Sequence, residues 1–384
     1  MKLYVYNTLT RKKEEFKPIH NDGAVRLYTC GPTVYWYATI GNFRTYVFSD
    51  ILRRVLQYNG YKLMHVMNVT DVGHLVGDGD DGDDKMEVAA AKEHKTAQEI
   101  ADYYLQVFKE DMEKLHILSP GAWLKASEHI SEQIALIYRL EKKGYTYKTS
   151  DGIYFDSTKF KDYGKMARLN IQGLQKGKRV DIGEKKHKTD FALWKFSESP
   201  GKRQQEWKSP WGVGYPGWHI ECSAMSMSAL GENFDIHTGG EDHIPIHHTN
   251  EIAQSEAATG KKFVNYWLHG AFLTFKGEKV SKSKGGLYTL SELQKLGYRP
   301  EHYRYMCLLT HYRKKLDFSL KHLDAAKKAF ERLYEKHIIL SRIPIKEAVS
   351  ASDAKVVALY VKSFNEAVND DLNMPRAVQV MLKM

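Results

Sequence analysis

What this 384-residue sequence lacks narrows its class first. It holds three cysteines, Cys30, Cys222 and Cys307, and no two of them form a CxxC pair. So odd and sparse a set argues against a disulfide framework and fits a reducing compartment, leaving each thiol a chemical or a packing role. No uncharged apolar run approaches the ~20 residues that a membrane-spanning helix needs. The opening stretch, MKLYVYNTLTRKKEEF, alternates apolar and polar residues and then turns basic, without the continuous apolar core of a signal peptide. A cytoplasmic protein with no membrane partner is expected. Neither GxxxxGK[ST] nor GxGxxG occurs, so the common nucleotide fingerprints are missing. The acidic stretch DGDDGDD at residues 78–84 fails the spacing of an EF-hand and reads as a solvated loop. No internal repeat is visible.

What is present points to a globular α/β protein. Hydrophobic residues make up 42% and charged residues 27%, an ordinary balance, and the length suits roughly two to four domains. A net charge of +10 makes a polyanionic partner plausible. VRLYTC at 25–30 reads as a short buried strand stopped by Gly31 and Pro32. FRTYVFSDILRRVLQYNG follows as a helix, with Val47, Ile51, Val55 and Tyr58 on one face and Asn59 and Gly60 at its end. KLMHVMNVT is a second strand. Strand, loop, helix and strand within about 45 residues is the βαβ signature of a nucleotide-binding parallel sheet.

From Asp71 the pattern changes to an insertion. It holds a long helical segment over 85–116, a helix capped by Ser127 with Ile130, Ile134 and Ile137 on one face, and a hairpin turning at Asp151 and Gly152. Residues 170–210 have little periodicity and read as surface loop. The sheet resumes at NFDIHTGG, continues through a helix at NEIAQSEAATG and returns to strand at KFVNYWLHGAFLTF. Beyond Pro300, Leu316, Leu320 and Leu323 and then Phe330, Leu333 and Ile338 give amphipathic helices, with Cys307 in their core. The expected fold is therefore α/β: a Rossmann-like parallel-sheet domain at 1–70 and 211–270, a connective insertion at 71–210, a linker region at 271–299 and an α-helical bundle at 300–384.

Three clusters could carry chemistry. TIGN at 39–42 lies where a loop enters the first helix, a place where backbone N–H groups and the helix dipole favour phosphate; Gly41 would let a nucleotide approach the backbone. KVSKSKGG at 279–286 sets Lys279, Lys282 and Lys284 among serines and glycines, as a loop that closes over polyphosphate would. Potential soft-metal ligands are Cys30, Cys222, His237, His243, His247, His248 and Glu251, of which His247 and Glu251 stand one helical turn apart. Spacing alone does not choose among them.

Taken in order along the chain, NTLTRKKEEF, YTCGPTVY, TIGNFRTYVFSD, NVTDVG, PGWHIECSAM, FDIHTGG, HHTNEIAQS, NYWLHG and KVSKS resemble the motifs of the cysteinyl-tRNA synthetases, a class I aminoacyl-tRNA synthetase family. The resemblance covers nearly the whole sequence. It implies an enzyme that activates L-cysteine with ATP and passes it to the 3′ end of tRNA(Cys), releasing AMP and pyrophosphate. It implies one Zn2+ per chain on Cys30, Cys222, His247 and Glu251, where the thiolate of the substrate cysteine can add as a further ligand; Mg2+ would accompany ATP. Bond strength to sulfur would then separate cysteine from serine or alanine.

TIGN and KVSKS correspond to the two signatures of class I synthetases. By resemblance Thr39, Asn42, Lys279 and Lys282 are catalytic, stabilising the α-phosphate during in-line attack. Gly31, Thr33 and Gly41 belong to the substrate and ATP site, Thr70 and Trp218 line the substrate pocket, and His237, Gly239, Gly240 and Asp242 face the adenosine and amino acid. Thr39 stands where the family signature has histidine, Val280 where it has methionine, and KGG follows where LGN is common. The family continues past the helical bundle into a small anticodon-recognition domain, which is expected to be absent from these 384 residues; a monomer is expected. Two other readings share the motifs: a ligase that gives the same adenylate to an amino sugar, and a catalytically silent paralogue.

Overall fold

The computed structural model describes residues 1–72, 84–168, 184–275, 288–344 and 350–384, and the backbone of 278–279. A hairpin of β1 (Tyr4–Asn7) and β2 (Lys12–Glu15) comes first. β3 (Ala24–Thr29), α1 (Ile40–Tyr58) and β4 (Lys62–Val69) then form the expected βαβ unit, β3 and β4 being parallel with Tyr28 opposite Val66. The helix buries Phe43, Val47, Leu52 and Leu56 against its neighbours, the face that the 3.6-residue period sets.

The segment expected as one helix from 85 to 116 is two, α2 (Lys85–Glu93) and α3 (Ala97–Lys114). His94 turns the chain with a left-handed φ of 53°, and Thr96 starts afresh: its amide and hydroxyl donate to Glu99 at 2.7 and 2.8 Å. This reciprocal cap outweighs continuation because it satisfies N–H groups that a new helix end exposes. β5 (Ala122–Lys125) and α4 (Ile130–Lys142) follow. Ser127 does not cap α4, whose first residue is Ile130. Its amide and hydroxyl donate instead to the buried Asp71 carboxylate at 2.9 and 2.5 Å, satisfying a charge that water does not reach.

An antiparallel sheet comes next, built from β6 (Thr146–Lys148), β7 (Gly152–Phe155), β8 (Phe191–Phe196), β9 (Trp207–Ser209) and β10 (Gly212–Pro216) in the spatial order β6-β7-β8-β10-β9. The Asp151–Gly152 hairpin is present. The loop reading of 170–210 fails in part, because Phe191–Phe196 is the buried middle strand of this sheet; covered on both faces, it shows none of the alternation that betrays a half-exposed strand. Residues 169–183 lie outside the described residues.

α5 (Trp218–Leu230), β11 (Phe234–Gly240), α6 (His247–Thr259) and β12 (Val264–Gly270) return to the main sheet, whose order is β12-β11-β3-β4-β5, all parallel. β5 thus joins this sheet from within the 71–210 stretch, while β10 belongs to the other. From β3 the chain builds outward to β4 and β5 on one side, then to β11 and β12 on the other. The carboxyl ends of β3 and β11 part at that reversal, the place where open parallel sheets hold ligands.

β13 (Leu273–Phe275), β14 (Glu278–Lys279), α7 (Leu290–Lys295), α8 (Pro300–Leu308), β15 (Leu316–Phe318), α9 (Leu320–Ser341), α10 (Ala351–Asn369) and α11 (Met374–Lys383) complete the chain. Leu316, expected on a helix with Leu320 and Leu323, lies instead in β15, paired with β13, and the helix starts only after Ser319 caps it. Two buried carboxylates tie this helical part to α1 and to the β1–β2 hairpin. Asp50 on α1 takes Arg304 of α8 and the Leu118 amide; Asp371 takes the Tyr6 amide, the Tyr312 hydroxyl and Arg313. Among the described residues no helix is long and apolar enough to cross a membrane.

Candidate active site

A cleft of about 380 Å3 opens at the sheet reversal. Cys30 and Gly31, just past β3, form one wall and Gly239 and Gly240, ending β11, form the other. Gly31 has no substitute: a Cβ there would sit 1.7 Å from the Asn68 carbonyl oxygen, while its amide donates to the Asn68 side chain at 2.7 Å.

At the bottom, four side chains from three separate segments converge. Cys30, Cys222 of α5, and His247 and Glu251 of α6 present ligand atoms within 4.8 Å of one another, all buried. Tetrahedral zinc, with bonds of about 2.3 Å to sulfur and about 2.0 Å to nitrogen or oxygen, would space such donors by roughly 3.3–3.8 Å, so the cluster fits. A second grouping, Cys30, His237, His248 and Glu251, shares two members. The first holds both thiols and is therefore the softer set.

The ionisable groups there are all buried. The Cys30 thiol donates to Cys222, which lowers Cys222; burial, with that same hydrogen bond, raises Cys30. Against the pull of burial, the charges of Glu251 and Cys222 lift His247 to about 10. Burial also opposes ionisation of Glu251, yet His237 and His247 hold it well below the usual carboxylate range. A divalent cation held by these donors would take the place of the shared protons. Histidines brace the donors from behind: His237 Nε2 lies 2.9 Å from Glu251, His219 Nδ1 2.9 Å from His247 Nδ1, and His248 Nε2 3.3 Å from Cys30 Sγ. His248 in turn meets His269 at 2.7 Å, and His269 meets Thr8 at 2.8 Å.

The start of α1 forms the other side of the cleft. The Thr39 amide and hydroxyl both donate to Asn42 Oδ1, at 2.9 and 2.8 Å. A backbone N–H can only donate, so the Asn42 oxygen is committed inward and its Nδ2 is left as the donor to offer outward. Together with the N-terminal amides of a 19-residue helix this is a site for an anion.

Comparison with known proteins decides the family. Residues 15–328 match the model of the class I (C) tRNA synthetase catalytic domain. Cysteine–tRNA ligase 1 of Burkholderia lata is 51% identical over 382 residues, which span 99% of this chain and 79% of that protein. The cysteine–tRNA ligase of Treponema denticola is 46% identical over 404 residues, 100% of this chain and 82% of the relative. The chain belongs to the cysteine–tRNA ligase family. Its fold is also that of a Mycobacterium tuberculosis methionyl-tRNA synthetase solved with methionyl-adenylate, at a TM-score of 0.67 and 15% identity over 94% of this chain and 82% of the other.

Within this cysteine–tRNA ligase fold, Thr33, Thr39, Gly41, Asn42, Trp218 and Asp242 also line the cleft. Trp218 stacks on His247 with ring centres 4.4 Å apart. Thr70 stands one layer behind, its amide donating to the Pro32 carbonyl at 3.0 Å. His237, expected to face the adenosine, instead points the other way: it is fully buried, stacked on Trp267 and bonded to Glu251. Side chains alternate along β11, which sends His237 and Thr238 to opposite faces of the sheet. The backbone of Lys279 is in β14, opposite Thr274; Lys282 lies outside the described residues. The bracing residues His219 and His269 were missed in sequence. One signal exists, since His219 precedes Cys222 by three residues on the same helical face; His269 comes beside Gly239 only through the β11–β12 register.

Proposed function

We propose that this aminoacyl-tRNA ligase activates L-cysteine with ATP and charges tRNA(Cys), and that Cys30, Cys222, His247 and Glu251 hold one Zn2+ that selects the substrate. The convergence of those four donors at the floor of the cleft, in a chain of this family, carries the reading. When bound, zinc would supply a Lewis acid that a thiolate binds far more strongly than a hydroxyl does and that a methyl cannot bind. Trp218 walls the amino-acid end, keeping the thiol of the substrate directed at Cys30 and Cys222.

The cysteine carboxylate attacks the α-phosphorus, the bond to the β-phosphate breaks, and pyrophosphate leaves with that bond's electron pair. Asn42 Nδ2 and the amides at the start of α1 hold the phosphate oxygens, while Gly239 and Gly240 admit the nucleoside against bare backbone. Lys279 and Lys282 stabilise the charge that builds on the α-phosphate; Mg2+ would enter with ATP and offset the charge of its phosphates. Positioning and charge do the work, since no side-chain nucleophile is needed. In the second step a hydroxyl of the terminal tRNA ribose attacks the carbonyl carbon and AMP leaves. The reading includes a cytoplasmic monomer.

Pyrophosphate exchange into ATP, run with cysteine and with serine on the zinc-loaded protein and followed by charging of tRNA(Cys), tests it. Exchange with cysteine and not serine, then charging, is expected; absence of cysteine-dependent exchange sinks the reading.

A further inference from the structure

We infer that the outer rim of the cleft, formed by Trp36, Tyr37 and Tyr103 with Lys85, Lys92 and Lys95, is a stacking platform for the unpaired 3′ strand of tRNA. The inference rests on the charging reading above and goes beyond it in naming where the acceptor strand lies.

Tyr35, Trp36, Tyr37 and Lys85 line the cleft itself, and among the described residues Lys85 is the sole lysine or arginine that does so. The surface continues outward without interruption. Trp36 and Tyr37 have ring centres 5.5 Å apart, and the Tyr37 and Tyr103 hydroxyls meet at 3.1 Å. Each lysine lies over a ring: Lys85 over Tyr35 at 5.5 Å, Lys92 over Trp36 at 5.3 Å and Lys95 over Tyr103 at 5.0 Å. Packing accounts for part of this. Tyr104 of α3 is buried beneath Trp36 and Tyr37 against α2, and its hydroxyl donates to Glu93. Even so packed, Trp36 and Tyr103 remain 38% and 45% exposed.

Rings that expose a face, interleaved with cations, are what single-stranded nucleic acid binds: bases stack on the rings and phosphates meet the lysines. Within the patch Glu93 is turned to Lys95 at 3.0 Å and to Tyr104, which leaves Lys85 and Lys92 beside their rings. The rim also stands where the strand must pass, between solvent and the site at which the aminoacyl group is handed over. A flexible strand laid on Trp36 and Tyr103 would reach past Lys85 to the start of α1.

The test is a comparison of two RNAs: intact tRNA(Cys), and the same RNA without its last four unpaired nucleotides. Their binding is measured on the full chain, for the wild type, for a Trp36→Ala/Tyr103→Ala variant and for Lys92→Glu. Trimming is expected to weaken binding to the wild type about tenfold and to matter little to the double variant, which already lacks the stacking partners. Lys92→Glu leaves every ring and the core in place, so its loss of affinity for the intact RNA alone answers any doubt about folding. The inference is overturned if the wild type does not distinguish the two RNAs, or if the variants stay as sensitive to trimming as the wild type or lose affinity for both alike. Binding is read without catalysis, so failure of cysteine activation would be seen separately, in the exchange assay.

Discussion

The two ends of one cleft are built by opposite rules. At the floor, Cys222 is 1%, His247 2% and Glu251 0% exposed, and behind almost every donor stands a second side chain that fixes its direction. At the rim, Trp36 and Tyr103 are 38% and 45% exposed and the lysines reach them over more than 4 Å. A small thiol must be told from a hydroxyl, which demands fixed donors in a dry site. A polymer strand must enter and leave, which demands surfaces that tolerate motion and act through charge and stacking. The floor should therefore respond sharply to single atoms and hardly to salt, and the rim the reverse.

The largest effect is expected at the floor. Cys222→Ala removes a donor whose neighbours remain, and cysteine-dependent exchange should fall more than ~100-fold, beyond what loss of an outer partner costs. Exhaustive removal of metal by a chelator should do the same in the native protein, with recovery on adding Zn2+; full exchange in a metal-free sample would refute the zinc reading. One step outward, His237→Gln should weaken zinc affinity by roughly 10- to 100-fold through Glu251, with kcat of the zinc-saturated variant nearly restored. Competition against a chromophoric chelator measures this. A variant that binds zinc as tightly as the native chain would show that His237 only fills space.

How much of this the sequence discloses follows the same division. The four floor donors were assigned through resemblance; before it, the seven candidate ligands could not be sorted, because Cys30 and Cys222 meet only once β3 and α5 are packed. The βαβ unit was legible because a helix with one apolar face between apolar strands has few other solutions. The orientation of His237 was not, since the residues resembling the family motif fix a position in the chain and the pleat of β11 decides the face. Strand Phe191–Phe196 was hidden for want of alternation, and the break at His94 because a histidine in left-handed backbone carries no signature as plain as glycine's.

Thr39 lies between the two ends and should show an intermediate effect. Its hydroxyl and amide both donate to Asn42, so Thr39→Ala removes one of two hydrogen bonds that hold the Asn42 oxygen inward. A cap of this kind is worth about 1 kcal/mol, and exchange should slow about fivefold with little change in KM for cysteine. A larger loss, confined to kcat, would mean that the hydroxyl itself contacts the phosphate, in the place of the histidine that the family signature carries there.

The smallest effect is expected at the rim, and salt brings it out. If Lys92 pairs with a phosphate of a single strand, Lys92→Ala should lower the slope of log affinity for tRNA(Cys) against log salt by about 0.7 in magnitude. Zinc affinity at the floor should keep its value over the same range, because a buried cluster is screened far less than an exposed lysine. Titrations from low to physiological salt give both slopes from one pair of proteins. If Lys92→Ala leaves the RNA slope unchanged, its ammonium only steadies the Trp36 ring, and the rim's charge then has to come from Lys85 and Lys95, the first of which is already inside the cleft.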